Sequence, residues 1–299
     1  MSKTILKILF AILLPIFINS CSENDYGGAD SGLIPNINDY KNLLSINVVS
    51  DSNYVTFNLN APNVYPVWSY NDGTSNVIST LNGLSQIVHP AGTYTVTAKV
   101  ANKYGISSGS VTLTYTLTKD FIDKNLFKYL CGGSGTSTKQ WVWNSTVDGH
   151  FGCGPDASNS TSWWSCGANG KAGVGMYDDI FTFGYAGSGL SGAYTYNPGT
   201  GGTIYVNSGC TFSPFNAYNT NNGNDYQATV AVQNTTWSFK YEGKDLYLIF
   251  PANTLVGYVP NIETYNTPKF KILSLTDSKL SMACYNGSIA WKYEFTPKK

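Results

Sequence analysis

Acid/base hydrolysis of a glycosidic bond needs two carboxyl groups about 5 to 9 Å apart, one of them tuned to hold a proton. The 299-residue chain has four glutamates to offer: Glu23, Glu242, Glu263 and Glu294. Glu242 falls in Tyr241-Glu242-Gly243-Lys244-Asp245, which reads as a hairpin turn with its charge in water, and no E-x-D-x-x-E strand places carboxylates on one face. Asp178-Asp179 is the one adjacent acidic pair. Neighbours on a strand point opposite ways, so the pair reads as a turn before Ile180–Phe183 or, as the alternative, as part of a structural calcium site. His89 precedes Pro90 in a loop, and His150 lies in Asp148-Gly149-His150-Phe151-Gly152. With no HExxH and no Gly-x-Ser-x-Gly, nucleophilic and metal catalysis lack their parts, and the chain reads as a non-enzyme with no cofactor beyond such a calcium.

Aromatic residues are the richer resource. Four of the seven tryptophans, Trp141, Trp143, Trp163 and Trp164, fall within 24 residues. An indole offers a flat apolar face and a hydrogen-bonding edge, which suits a sugar ring. Trp141 and Trp143, two apart, share one strand face and can be either core or platform. Trp163-Trp164 follows the polar run Asp156–Thr161 and precedes the glycine-rich stretch Gly167–Gly175, so at least one of these rings is expected on a loop, exposed.

These residues are positioned by a chain that reads as exported and β-rich. Lys3 to Ser20 combine lysines with an apolar run of about a dozen residues, short of the roughly 20 a membrane span needs, and read as an export signal. Ile18-Asn19-Ser20-Cys21 resembles a bacterial lipobox, which implies removal of residues 1–20 and lipidation of Cys21. Residues 22–38 read as a flexible tether, and its acidic start at Glu23 and Asp25 resembles the surface-export signal of Bacteroidetes lipoproteins. The chain has eighteen lysines, no arginine and no basic cluster, so the charge that nucleic-acid binding requires is missing. A neutral partner is expected. The remaining cysteines, Cys131, Cys153, Cys166, Cys210 and Cys284, match no zinc spacing; Cys153 with Cys166 is the first disulfide to test, packing roles for all five being the alternative.

Two all-β units are expected. In the first, 39–119, Tyr94, Val96, Ala98 and Val100 alternate with Thr and Lys, the mark of a strand with one buried face. Val67-Trp68-Ser69-Tyr70-Asn71-Asp72-Gly73-Thr74 ends in a turn at Gly73. The two stretches together resemble the PKD family of immunoglobulin-like domains, which implies a presenting module. The second unit, 120–299, shows ten strand-like runs, at 140–143, 180–183, 193–196, 203–206, 229–232, 236–241, 245–250, 270–275, 279–285 and 289–295. They imply a larger jelly-roll-like β-sandwich. Its best helix candidate is Lys119–Tyr129.

The series K-x-W, G-H-x-G-x-G-P, W-W and Y-D-D-x-F-x-F over Lys139–Phe183 resembles the carbohydrate-binding domain of Bacteroidetes surface glycan-binding lipoproteins. The resemblance implies an outer-membrane, cell-surface protein that captures a polysaccharide, with a neutral β-1,3-type glucan as the first guess, for a neighbouring importer complex. The site residues expected on this reading are Trp163, Trp164, Trp143, Trp141, His150 and Tyr177. A protein-binding surface adhesin is the alternative, an endo-acting glycoside hydrolase a third.

Overall fold

A computed structural model describes residues 31–49, 52–72, 75–88, 91–215 and 224–299. The export segment, Cys21, the first part of the tether, Gly73 and His89 lie outside the described residues. No helix among those described is long and apolar enough to cross a membrane. The protein is all-β, as its alternating runs require, and its buried residues form two separate clusters, one from Ile37 to Leu117 and one from Ile122 to Phe295.

The first cluster is enclosed by β1 (Leu44–Val49), β2 (Tyr54–Leu59), β3 (Tyr65–Asn71), β4 (Asn76–Ser79), β5 (Leu84–Ile87), β6 (Gly92–Asn102), β7 (Gly105–Ile106) and β8 (Val111–Leu117). One sheet runs β1-β2-β5; the other runs β4-β3-β6-β7, with β8 also on β6. Alternation on β6 buries Val96, Ala98 and Val100 completely while Thr93 and Thr95 face water. These side chains meet Phe57 of β2 and Trp68 of β3, whose rings are 5.5 Å apart. The Trp68 indole N–H, buried with its ring, donates to the Leu81 carbonyl at 3.1 Å, which removes the cost of an unpaired buried donor. Within the segment read as tether, Ile37 is buried in this core and the Leu33 carbonyl accepts from Asn102 at 2.9 Å. The end of that segment is therefore part of the folded unit.

The second cluster is enclosed by β9 (Thr136–Trp143), β10 (Phe151–Gly154), β11 (Trp164–Ser165), β12 (Ile180–Ala186), β13 (Ser191–Asn197), β14 (Thr203–Val206), β15 (Tyr226–Thr229), β16 (Gln233–Glu242), β17 (Asp245–Ile249), β18 (Lys269–Leu275), β19 (Leu280–Tyr285) and β20 (Ala290–Pro297). Strands β9, β12, β13, β16, β17, β18, β19 and β20 pair antiparallel in that order, and the end of β20 returns to β9 through Phe295↔Trp143 and Pro297↔Trp141. The larger unit is thus one sheet closed on itself, an up-and-down barrel, the form a two-layer β fold takes when first and last strands meet. The start of β20 pairs instead with β10, so the hairpin β10–β11 leaves the barrel as a spur. Inward-pointing residues fill the interior: Trp141, Phe181, Tyr196, Leu248, Phe270, Met282 and Tyr293 are all fully buried.

The helix forms later than expected, as α1 (Lys124–Cys131), because Asp123 supplies the N-cap, accepting from the Asn125 N–H at 2.9 Å. It ends at Gly132, in the left-handed region at φ 87°. Helix α1 touches β9, β12 and β18. Those strands are not all neighbours, so it lies across a mouth of the barrel, with Phe127 stacked on Tyr185 at 4.3 Å. Two further expectations are corrected. The run at 229–232 is not a strand; β15 occupies Tyr226–Thr229. Cys153 and Cys166 form no disulfide, and all five described cysteines are free thiols. In the hairpin register Cys153 opposes Trp164, while Cys166 donates its backbone N–H to Phe151, which leaves the two cysteines offset along the ladder.

Candidate functional site

The spur is built around two glycines. A Cβ on Gly152 would lie 2.5 Å from the Trp164 carbonyl oxygen, and one on Gly154 would lie 1.8 Å from that of Asn159. Only glycine lets the returning chain approach this closely. The turn between is tied by Asp156, which accepts from the N–H groups of Ser158 at 2.8 Å and Asn159 at 2.9 Å. The Asn159 side-chain amide also donates to Asp156 and, more than any other contact, holds its carboxyl below the usual range.

From this frame Trp163 emerges 59% exposed and Trp164 40% exposed. Trp164 lies on the side of Cys153 and Phe151, and its ring meets Phe151 edge-on at 5.4 Å. Trp163, one residue earlier, lies in the bend before the strand and donates its N–H to the Cys153 carbonyl at 3.1 Å. On the outward face of the barrel, the Asp156–Ser158 turn closes a hollow of about 400 Å³ with Tyr247 of β17, Lys269 and Lys271 of β18, and Ala283 and Tyr285 of β19. Tyr247, Lys271 and Ala283 stand in register across three strands. Tyr285 is 42% exposed beside them. Of the two carboxylates that border this hollow, Asp156 is held low by Asn159, and Asp245 pairs with the Lys271 ammonium at 2.6 Å.

Of the other expected site residues, Trp141, Trp143 and His150 lie inside and Tyr177 is half-buried. Trp141 and Trp143 are core, 0% and 2% exposed, so neither presents a face to a ligand. Trp143 packs against Phe151, Phe181, Tyr293 and Phe295, and its indole N–H donates to Asp179 at 3.3 Å. His150 is fully buried. A carbonyl can only accept, so Nδ1–H donates to Val147 O at 2.6 Å, and Nε2 accepts from the Tyr177 hydroxyl at 2.8 Å. Tyr177 in turn accepts from the Lys171 backbone N–H at 3.0 Å. Burial lowers the His150 pKa and pushes that of Tyr177 up to about 12. His150 and Tyr177 therefore lock the loops beneath the tryptophans to one another and position the site from below.

Asp178 and Asp179 do not act together either. Asp178 accepts from the Gly201 N–H at 2.9 Å. Asp179 is completely buried, accepting from Trp143 and from the Tyr196 hydroxyl at 2.8 Å. No group of three His, Cys, Asp or Glu side chains suited to a metal occurs among the described residues. Desolvation raises the Asp179 pKa well above 3.8 in spite of both hydrogen bonds. The folded protein then keeps a proton that the unfolded chain gives up, so stability is full below 3.8 and is lost as the pH rises. Asp179→Asn removes the titration. Its melting temperature relative to the parent is expected to be higher at about pH 8 than at about pH 4, by several degrees. Thermal scans at both values check this, and an equal difference at the two would show Asp179 ionised in the fold.

No protein-family model matches the chain, and no curated protein matches its sequence. Sequence reasoning found the exposed indoles but missed Tyr247, Tyr285 and the hollow they border. The available signal was parity: Leu248 and Cys284 are buried, so Tyr247 and Tyr285, one position away, face outward.

Proposed function

We propose that this protein captures a polysaccharide outside the cell without hydrolysing it, held to the outer membrane through Cys21 and handing its ligand to a neighbouring importer. The observation that carries the reading is the pair Trp163 and Trp164, whose indoles stand 59% and 40% exposed on a hairpin that two glycines and the Asp156 turn keep in place. An apolar ring surface left in water on a rigid support is suited to the C–H face of a pyranose. The hollow of about 400 Å³ on the outward face, bordered by Tyr247 and Tyr285, offers a separate aromatic-edged surface to sugars. The balanced charge of the whole chain, with Lys+Arg 18 and Asp+Glu 18, favours a neutral backbone such as a β-glucan.

Affinity electrophoresis in gels containing a panel of neutral and acidic polysaccharides tests the reading. Retardation by at least one glycan is expected. Trp163→Ala and Trp164→Ala are each expected to weaken it by about tenfold, the equivalent of 1.4 kcal/mol, with melting unchanged for Trp163→Ala, whose ring is 59% exposed, and slightly lowered for Trp164→Ala, which gives up its contact with Phe151. Absence of retardation by every glycan would overturn the reading. The adhesin alternative draws on a different surface: Ile78 and Ile106, 73% and 53% exposed, border an apolar hollow with Val67 on the outer face of β3, β4 and β6. Retention of the protein by a protein partner through that face, with indifference to glycans, would favour it.

A further inference from the structure

The ammonium of Lys171 ends on two aromatic rings and on no carboxylate. Its Nζ lies 5.2 Å from the centroid of Trp164 and 5.0 Å from that of Tyr205, with one long hydrogen bond of 3.5 Å to the Tyr205 hydroxyl. The neighbouring lysines of the barrel are satisfied differently. Lys271 pairs with Asp245 at 2.6 Å and Lys292 with Glu294 at 3.0 Å, while Lys139 donates to the carbonyls of Tyr129 and Asp277 at 2.9 and 2.7 Å. Among the described residues no ion pair involves Lys171.

The position of this cation is fixed by the fold. The Lys171 backbone is bound to Tyr177, which His150 holds in turn. Asp148, in the same group of loops, is turned to the Ala168 N–H at 2.7 Å. Tyr205 is buried to 8% exposure and serves as the inner wall, whereas Trp164 is the ring a ligand can reach. An ammonium carries three donors, and here one is used, weakly.

We propose that Trp164, Lys171 and Tyr205 form a subsite for an acidic sugar, one that brings a carboxylate or sulfate to Lys171 while its ring lies against Trp164. The proposal rests on the polysaccharide reading above and replaces its neutral ligand with one that carries an acidic substituent. A neutral pyranose approaching Trp164 either pushes the ammonium off the indole or leaves it without a counter-charge. An anionic substituent does neither: the cation stays against the rings and gains charge-assisted hydrogen bonds. Whole-chain charge balance does not reveal this, because Lys240, Lys244, Lys269, Lys271 and Lys292 each pair with a carboxylate, whereas Lys171 rests on rings.

The test uses the full chain in mild detergent and beads carrying polygalacturonate, its methyl ester, carrageenan, desulfated carrageenan or laminarin. Retention by a uronate or a sulfated polymer is expected, weakened about tenfold or more by esterification or desulfation, by Lys171→Gln, and by raising NaCl to about 0.5 M. Lys171→Arg keeps the charge and should keep most of the binding; melting curves of both variants confirm that they fold. The polymer retained distinguishes carboxylate from sulfate. Equal retention of charged and uncharged forms, or binding unchanged in Lys171→Gln, overturns the acidic subsite and leaves glycan capture standing. If no bead retains the protein, both fall together.

Discussion

Trp143→Ala is expected to destabilise the barrel by about 3–5 kcal/mol, the range for removing a large buried aromatic. The ring is 2% exposed and touches four others, with Phe295 at 4.8 Å and Tyr293 stacked at 5.5 Å. The fold can do little to close the space, because Gly257 already brings its backbone against the indole: a Cβ there would be 2.8 Å from Trp143 Cζ2. The substitution also removes one of the two donors to Asp179, a buried carboxyl whose remaining partner is Tyr196, and an under-satisfied buried group adds its own cost. Domains of this size have about 5–15 kcal/mol in total. At roughly 2–4 °C per kcal/mol the melting temperature should fall by about 6–20 °C. Differential scanning calorimetry of Trp143→Ala beside Trp164→Ala makes the comparison decisive. A Trp143 variant that melts with the parent would contradict the closed, aromatic-filled barrel, whereas the Trp164 variant should melt far closer to the parent and bind glycan about tenfold more weakly.

That contrast shows how far the sequence carries. Trp141 and Trp143 are correctly placed on one strand face by their spacing, but spacing alone does not say whether the face turns to the core or to a ligand. The answer is set by β20, whose Phe295 pairs with Trp143 from 152 positions further along the chain. No local pattern encodes a pairing between strands so far apart, and for the same reason the ten runs, read as a jelly-roll-like sandwich, carry no sign of the closure between β20 and β9. Short-range features were legible. Val96, Ala98 and Val100 alternate with polar residues and are buried, and Trp163-Trp164, flanked by polar and glycine-rich segments, is exposed.

The spur β10–β11 escaped notice because Phe151-Gly152-Cys153-Gly154 has glycine at every second position, which removes the side chains that mark a strand. Those glycines answer to contacts with the Trp164 and Asn159 backbones. His150 shows the same limit in reverse. A histidine among glycines beside tryptophans has the composition of a binding loop, yet its two nitrogens are both used inside the protein, by Val147 and Tyr177.

Gly154→Ala is therefore expected to damage the site more than removal of either exposed tryptophan. The new methyl group would fall 1.8 Å from the Asn159 oxygen and 2.8 Å from its carbonyl carbon. Both are backbone atoms in a turn already tied by Asp156, so no side-chain rotation relieves the overlap. One of two things must move. Strand β10 is held by the buried Phe151 and by its ladder to Tyr293, Lys292, Trp291 and Ala290 of β20, which leaves the turn at 155–162 to swing away. Trp163 is attached to that turn, its N–H donating to the Cys153 carbonyl at 3.1 Å, and the Asp156–Ser158 wall of the outward hollow moves with it. Overpacking of this kind costs about 1–3 kcal/mol. The folded barrel should survive with a lowered melting temperature, new protease sensitivity within 155–163 and glycan affinity reduced by more than about tenfold. Gly135→Ala, where a Cβ meets nothing within 4 Å, supplies the control and should be neutral or slightly stabilising. Limited proteolysis and affinity electrophoresis of the two variants separate the effects: a Gly154 variant that keeps both protection and binding would mean that the turn, and the tryptophan it carries, is not held where the site requires it.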